Sequence, residues 1–192
     1  ESFRSYISGS IANGQWTVAD GATYETPSFG WTDGQGTFDR ATGTLAFTGS
    51  ITFTGHGGIL NTTVANPEIR FVDGQHAVLL VDVSGTTQQG AQIDEQQVEF
   101  VDLDLAGAIT SDAATVSVTD AAATLTAAGA EAFGTYQAGE QFDPITLTLT
   151  VDPACATIPA PSPTWWVWVF AGVAGLVAAA VVVALVLRRR RA

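Results

Sequence analysis

Few side chains in this sequence could do chemistry near neutral pH. The chain of 192 residues has two histidines, one cysteine and three tyrosines. His56 stands within Gly55-His56-Gly57-Gly58, directly after a run in which apolar and small polar residues alternate. Alternation with a period of two predicts a strand with one buried face, and glycines let the backbone approach a bulky, flat molecule closely. His56 is therefore either a binding residue at the end of a strand or the water-facing residue of a turn.

The residue types favour binding over catalysis. The sequence contains no Gly-x-Ser-x-Gly elbow, no His-Glu-x-x-His motif and no phosphate-binding glycine loop. A Ser-His-Asp arrangement of distant residues, or a carboxylate pair for glycoside hydrolysis, stays open without a local signal. A tyrosinate, by contrast, is a hard anionic donor that suits ferric haem iron. A hydrogen bond from a histidine to that oxygen would orient the ligand and tune its basicity.

The charge of the chain excludes one class of partner. Residues 1–164 carry all 19 acidic residues against three arginines, which gives this part a formal charge of −16. Such a domain cannot gain the counterion-release energy with which proteins bind nucleic-acid phosphates.

The single cysteine, Cys155, cannot form a disulfide within the chain or a thiolate metal site. It is predicted to be a free thiol, with pairing to another chain as the alternative.

The elements that must position these residues are mostly strands. Short alternating runs between glycine and aspartate turns extend from Gln15 to Gly107, and Asp73-Gly74 between two apolar runs predicts a hairpin. Ser2 is a suitable cap for a short helix that carries Tyr6, and Thr126 for a second helix that stops at Gly134. The predicted fold is mainly β, an antiparallel sheet or sandwich with two short helices. A doubly wound fold is excluded because no long helices alternate with the strands.

The C-terminal part predicts a membrane anchor. Residues 165–187 are uncharged and span about 34 Å as a helix, enough to cross a bilayer. Tryptophans cluster at the start of this run and four arginines follow its end, which predicts a cytoplasmic C-terminus. We therefore expect an extracellular domain over 1–152, a proline-rich stalk over 153–164, a transmembrane helix over 165–187 and a cytoplasmic tail over 188–192. A wall-sorting signal would need a Leu-Pro-x-Thr-Gly-like pentapeptide, which the stalk lacks.

The beginning of the chain also bears on its location. The sequence starts at Glu1 with neither a methionine nor a charged-then-apolar leader. We interpret it as a mature or excised segment from which a signal peptide is missing. Together with the predicted anchor, this places the protein in the cell membrane as a single-pass protein.

Several landmarks of the sequence occur together in one known family. They are Ser2-Phe3-Arg4-Ser5-Tyr6, then Phe53–Leu60 with its Gly-His-Gly-Gly, then Asn66-Pro67, and finally the spaced pattern of Gly129, Phe133, Tyr136, Gly139 and Phe142-Asp143-Pro144. In this order they resemble the HtaA haem-binding domain, which serves haem uptake in corynebacteria and related actinobacteria. The likeness extends over about residues 1–151.

The resemblance implies a role for five residues. Tyr6 would be the axial ligand of the haem iron, and His56 would hydrogen-bond that tyrosine. Tyr136 would be a second pocket tyrosine, Phe133 a wall of the pocket, and Ser2 a partner of a haem propionate. The cofactor would be haem b, ferric and noncovalently held.

Together with the anchor predicted from residues 165–187, the resemblance implies a membrane-anchored receptor rather than an enzyme. It would take haem free or from haemoproteins and pass it to other haem-uptake proteins or an ABC transporter. The alternative is a surface-anchored β-sandwich module for adhesion or carbohydrate binding, in which Tyr6 and His56 are only structural. A surface hydrolase that uses His56 is the third hypothesis.

Overall fold

A computed structural model of the protein describes residues 3–134 and 136–159. Within this part, helix α1 (Phe3–Ser8) comes first and helix α2 (Ala127–Phe133) comes late in the chain. The strands are β1 (Gln15–Ala19), β2 (Ala22–Glu25), β3 (Ser28–Trp31), β4 (Gln35–Asp39), β5 (Thr42–Ala46), β6 (Ser50–Gly55), β7 (Leu60–Phe71), β8 (His76–Thr86), β9 (Gln92–Asp104), β10 (Ile109–Asp112), β11 (Thr115–Leu125) and β12 (Gln141–Thr150).

The strands form one large curled sheet and one small one. Ten strands join in the order β1-β6-β7-β8-β9-β11-β10, with β12 against β11 and β5 joining β4 to β7. The remaining two, β2 and β3, pair only with each other in the described part of the chain. All these pairs are antiparallel. Of the two predicted architectures, the protein has the sheet, and the two predicted short helices are confirmed.

The apolar residues divide between two clusters. The larger lies among β4, β7, β9, β11 and β12 and includes the fully buried Leu105 and Val116. The smaller contains Ile7, Ile51, Phe53 and Leu60, with Ala22 beside them, and the aromatic rings of α1 pack against it. Because alternating apolar residues on β6 supply Ile51 and Phe53, the strand that leads to His56 is fixed by burial. The smaller cluster therefore supports the candidate site.

One predicted strand is wrong in its extent. The alternation from Leu45 to Phe53 predicts a single continuous strand, but the structure breaks it into β5 and β6. Both pieces pair with β7, whose register shifts at Asn66 and Pro67. There the Phe47 N–H donates to the Pro67 carbonyl at 2.9 Å, and the Asn66 N–H donates to the Gly49 carbonyl at 2.9 Å. The irregularity in the partner strand interrupts the ladder, and alternation in one strand cannot reveal it.

The chain after β12 continues against the domain. The Cys155 carbonyl accepts the Arg40 N–H at 3.0 Å, and Ala156 is buried in the larger cluster. No helix within the described residues is long and apolar enough to span a bilayer. The predicted transmembrane helix at 165–187 and the tail at 188–192 lie outside the described residues. The division into domain, stalk, anchor and tail stays a prediction.

Candidate functional site

Tyr6 is positioned by the burial of its own helix. Ile7 of α1 is completely buried in the smaller cluster, and Phe3 packs edge-on against Phe53 with ring centroids 4.8 Å apart. Helical spacing then directs Tyr6, between these residues along the helix, to the rim of the cluster, where it is half-buried. The Gly9 N–H donates to the Tyr6 carbonyl at 3.2 Å, and the helix ends at Ser8. Tyr6 is thus held by apolar packing at one end of its helix.

His56 approaches Tyr6 from a tight 3₁₀ turn, His56–Gly58, between β6 and β7. All three residues have positive φ, and the backbone N–H of His56 donates to the Ala12 carbonyl at 2.8 Å. Glycine at the second and third positions suits this left-handed backbone. The imidazole Nε2 lies 2.6 Å from the Tyr6 hydroxyl oxygen, a hydrogen-bond distance. Residues 50 positions apart in the chain therefore meet at one oxygen atom.

A third group contacts the same hydroxyl. The Tyr6 hydroxyl donates a hydrogen bond to Oε1 of Gln88, which lies in the turn between β8 and β9. Sequence reasoning missed Gln88. The Gly90 turn between two apolar runs is visible in the sequence, but nothing in it distinguishes Gln88 from the neighbouring Gln89.

Aromatic rings from α1 and α2 form the wall beside Tyr6. Phe133, at the end of α2, stacks on Phe100 with centroids 4.9 Å apart. Phe3 lies 6.4 Å from the ring centroids of both Phe133 and Tyr136. The predicted residues Phe133 and Tyr136 thus share one surface, and Phe3 joins them. The sequence places Phe3 four residues before Ile7, and this helical spacing predicts only that both residues face the core.

These elements enclose a groove of about 360 Å³, counting the space open to solvent. Its lining residues are Phe3, Tyr6, Leu60, Thr62, Thr87, Gln88, Ala132, Phe133 and Tyr136. Both threonines are buried, and their hydroxyls are engaged: Thr62 donates to the Thr86 carbonyl at 2.8 Å, and Thr87 accepts the Ala91 N–H at 3.2 Å. The groove is therefore largely apolar apart from Tyr6, Gln88 and Tyr136.

The electrostatics keep both phenols protonated at neutral pH. Burial raises the pKa of Tyr6. Burial also raises the pKa of Tyr136, and Tyr6 and Glu140, which are negative when ionised, raise it further. A cation close to either oxygen would favour its ionised form and so oppose this shift.

The donor set and the walls fit haem. A phenolate is a hard donor for Fe(III), and a histidine and an amide stand beside it to orient it. Aromatic and aliphatic walls suit the faces of a flat macrocycle. Ser2, the predicted partner of a propionate, lies outside the described residues.

Comparisons with known proteins agree with this fit. A family model described as Htaa matches residues 1–148. The C-terminal domain of HtaA from Corynebacterium glutamicum is 36% identical, covers 77% of this chain and 89% of its own, and superposes with a TM-score of 0.68. The N-terminal domain of the same protein is 32% identical, covers 79% and 92%, and has a TM-score of 0.63.

A further similar structure is a domain-swapped dimer of a histidine-to-alanine variant of that C-terminal domain. It is 36% identical, covers 78% of this chain and 90% of its own, and has a TM-score of 0.67. No curated protein is significantly similar to the chain.

Proposed function

The chain belongs to the HtaA family of haem-binding domains, which serve haem uptake, and on this premise we propose that it captures ferric haem through the tyrosinate of Tyr6. This is a family of binding proteins and not of enzymes, so the hydrolase hypothesis is set aside. Haem is then the cargo of the protein. It would be held noncovalently, since the single cysteine cannot provide the paired thiols of a covalent attachment motif.

One observation carries the proposal: the Tyr6 hydroxyl and His56 Nε2 lie 2.6 Å apart at the rim of an aromatic groove. A tyrosine ligand must give up its hydrogen to become an anionic donor. His56, hydrogen-bonded to the same oxygen, would hold that oxygen in place and disperse part of its charge. Tyr6 would therefore determine whether the iron is held, and His56 how strongly.

The remaining groove residues would hold the macrocycle. Phe3, Phe133 and Tyr136 form a continuous aromatic surface on which a flat apolar face can lie. Ser2, four residues before the ligand, would donate a hydrogen bond to a propionate. Each of these contacts would help to retain haem, but none would orient it as the bond from Tyr6 to the iron would.

The predicted anchor would place this site outside the cell. The uncharged run at 165–187 supports a membrane helix, and the arginines after it support a cytoplasmic C-terminus. Haem captured on the extracellular face, free or from a haemoprotein, would then pass to another haem-uptake protein or an ABC transporter.

A hemin titration followed by absorbance tests the ligand assignment. Wild-type protein should give the spectrum of high-spin ferric haem with a tyrosinate ligand. Tyr6→Phe keeps the ring that packs beside Phe3 and should lose this spectrum. Tyr24→Phe is the matched control, because Tyr24 packs against Trp16 and Phe29 away from the groove. An unchanged spectrum in Tyr6→Phe would refute the assignment.

The role of His56 requires a second variant. His56→Ala should retain the tyrosinate spectrum but weaken haem binding by about 10- to 100-fold, the usual cost of losing a partner of a metal ligand. Its oligomeric state should be measured by size-exclusion chromatography, because a histidine-to-alanine variant of the similar C. glutamicum domain forms a domain-swapped dimer. Monomeric His56→Ala with wild-type affinity would contradict the proposed role.

A further inference from the structure

Gln88 is presented to the site by a closed turn. The Thr87 N–H donates to the Ala91 carbonyl at 2.9 Å, the Gly90 N–H donates to the Thr87 carbonyl at 2.9 Å, and Thr87 is buried. Gly90 has a φ of +78°, which glycine adopts without strain. These bonds fix the backbone at the tip of the β8–β9 hairpin and direct Gln88 towards Tyr6, 82 residues away in the chain.

The hydrogens at the Tyr6 oxygen can be assigned from its two partners. A glutamine Oε1 only accepts, so the single phenol hydrogen must point to Gln88. His56 Nε2 must then carry the hydrogen of its own 2.6 Å contact and donate it to Tyr6. The phenol is thereby satisfied on both sides, as donor to Gln88 and as acceptor from His56.

This arrangement cannot persist when Tyr6 serves as an anionic ligand. A tyrosinate oxygen has no hydrogen to donate, so Oε1 of Gln88 would face it as a second acceptor. Two acceptors at hydrogen-bond distance repel each other, and an unsatisfied polar group at a partly buried site is costly. Gln88 must then either leave the site or change the atom that it presents.

We propose that Gln88 is a positioning residue that turns its amide over, presenting Oε1 to the phenol and Nε2 to the tyrosinate. The amide carries an acceptor and two donors on one planar group, and the torsion that exchanges them is broad and roughly two-fold. The side chain can therefore keep its place in the closed turn. This inference rests on the proposed function, in which Tyr6 is the iron ligand.

The amide would make Gln88 a second donor to the ligand oxygen, beside His56. Two hydrogen bonds to a tyrosinate stabilise the anion relative to the phenol and hold its oxygen towards the iron, so loss of the Gln88 donor should accelerate haem release. The same bonds withdraw electron density from the oxygen, so their loss should also move the reduction potential of the bound haem to a more negative value. A side chain that only filled space would make no hydrogen bond to the Tyr6 oxygen, so its replacement would not change the reduction potential of the haem in this way.

Two substitutions separate this role from simple packing. Gln88→Met keeps much of the side-chain length but has no amide, and we expect its haem dissociation to be about 10-fold faster. Gln88→Glu keeps the shape and the acceptor but as a carboxylate has no donor, so its dissociation should be faster still. Gln89→Glu adds the same charge at the neighbouring position and is the matched control.

The experiment measures haem transfer to an excess of a scavenger protein, together with the reduction potential and the resonance Raman iron–phenolate stretch. We expect the order of retention to be wild type, then Gln88→Met, then Gln88→Glu, with Gln89→Glu at the wild-type value. The proposal is overturned if Gln88→Glu retains haem as well as Gln88→Met, or if the potential is unchanged in both variants. Absence of a tyrosinate signal in the wild type would instead refute the proposed function itself.

Discussion

A close contact between α2 and the sheet, at Gly129, provides a test of how the groove is positioned. Gly129 lies buried on the inner side of α2, over β9. A Cβ atom at this position would lie 2.4 Å from the Phe100 carbonyl oxygen and 2.9 Å from Cδ1 of Leu125. That carbonyl also accepts the Thr126 N–H at 3.0 Å, so it cannot move away without losing a bond. Gly129→Ala must therefore push the helix outwards.

The size of the effect follows from two opposing contributions. Alanine is favoured over glycine inside a helix by about 1 kcal/mol. Overpacking a well-packed core costs about 1–3 kcal/mol, and a contact of 2.4 Å with backbone belongs at the upper end of that range. We expect a net loss of about 1–2 kcal/mol in the free energy of unfolding, which lowers the Tm by about 2–8 °C for a domain of this length. Because Phe133 ends the same helix, haem binding should also weaken.

Urea unfolding and hemin titration of one purified variant check both expectations. Ala128→Gly is the matched control, since Ala128 is exposed on the same helix. It should lose about 1 kcal/mol through helix propensity alone and retain wild-type haem affinity. If Gly129→Ala is as stable as the wild type and binds haem equally well, then α2 does not position the groove by this contact.

Two further predictions concern the cap of α2 and the proton on Tyr6. Thr126→Ala removes the hydroxyl that accepts the Gly129 N–H at 2.9 Å and should cost about 1 kcal/mol in urea unfolding; Thr126→Ser should restore most of it, and equal losses in both variants would argue against a capping role. Burial raises the pKa of Tyr6, so Tyr6 is protonated at neutral pH, and its ligation as a tyrosinate should release about one proton per haem. Affinity should then rise with pH below that pKa. The released proton can be measured with an indicator dye in weak buffer. If Tyr6→Phe still releases one proton per bound haem, Tyr6 is not the ligand that ionises.

Local signals in the sequence predicted the helix that positions the groove. Thr126 as a cap, the alanine-rich run and Gly134 as a stop are confirmed, because each acts within a few residues: the Thr126 hydroxyl accepts the Gly129 N–H, and Gly134 has a left-handed backbone. The Asp73-Gly74 hairpin is confirmed for the same reason. The alternation of apolar residues also changes parity near Glu95, which predicts a bulge, and the register of β9 against β8 shifts there.

Interactions between distant strands were not predictable in this way. The break between β5 and β6 is set by the irregularity of β7 at Asn66 and Pro67, which depends on a partner strand and not on the alternation itself. Gln88 escaped notice for a related reason. Its importance arises only from the fold, which brings a polar turn residue to the hydroxyl of a residue 82 positions earlier.

Phe3 lies in the wall of the groove, although its position in the sequence predicts a core residue. A hydrophobic pattern marks a residue as buried, but it does not say which surface covers it. The Phe3 ring contacts Phe53 of the smaller cluster at 4.8 Å and reaches Phe133 and Tyr136 of the groove at 6.4 Å. The core and the wall of the groove are therefore one continuous aromatic layer. Because the packing of Phe53 also fixes α1, a change in that core residue should alter haem binding without touching the groove.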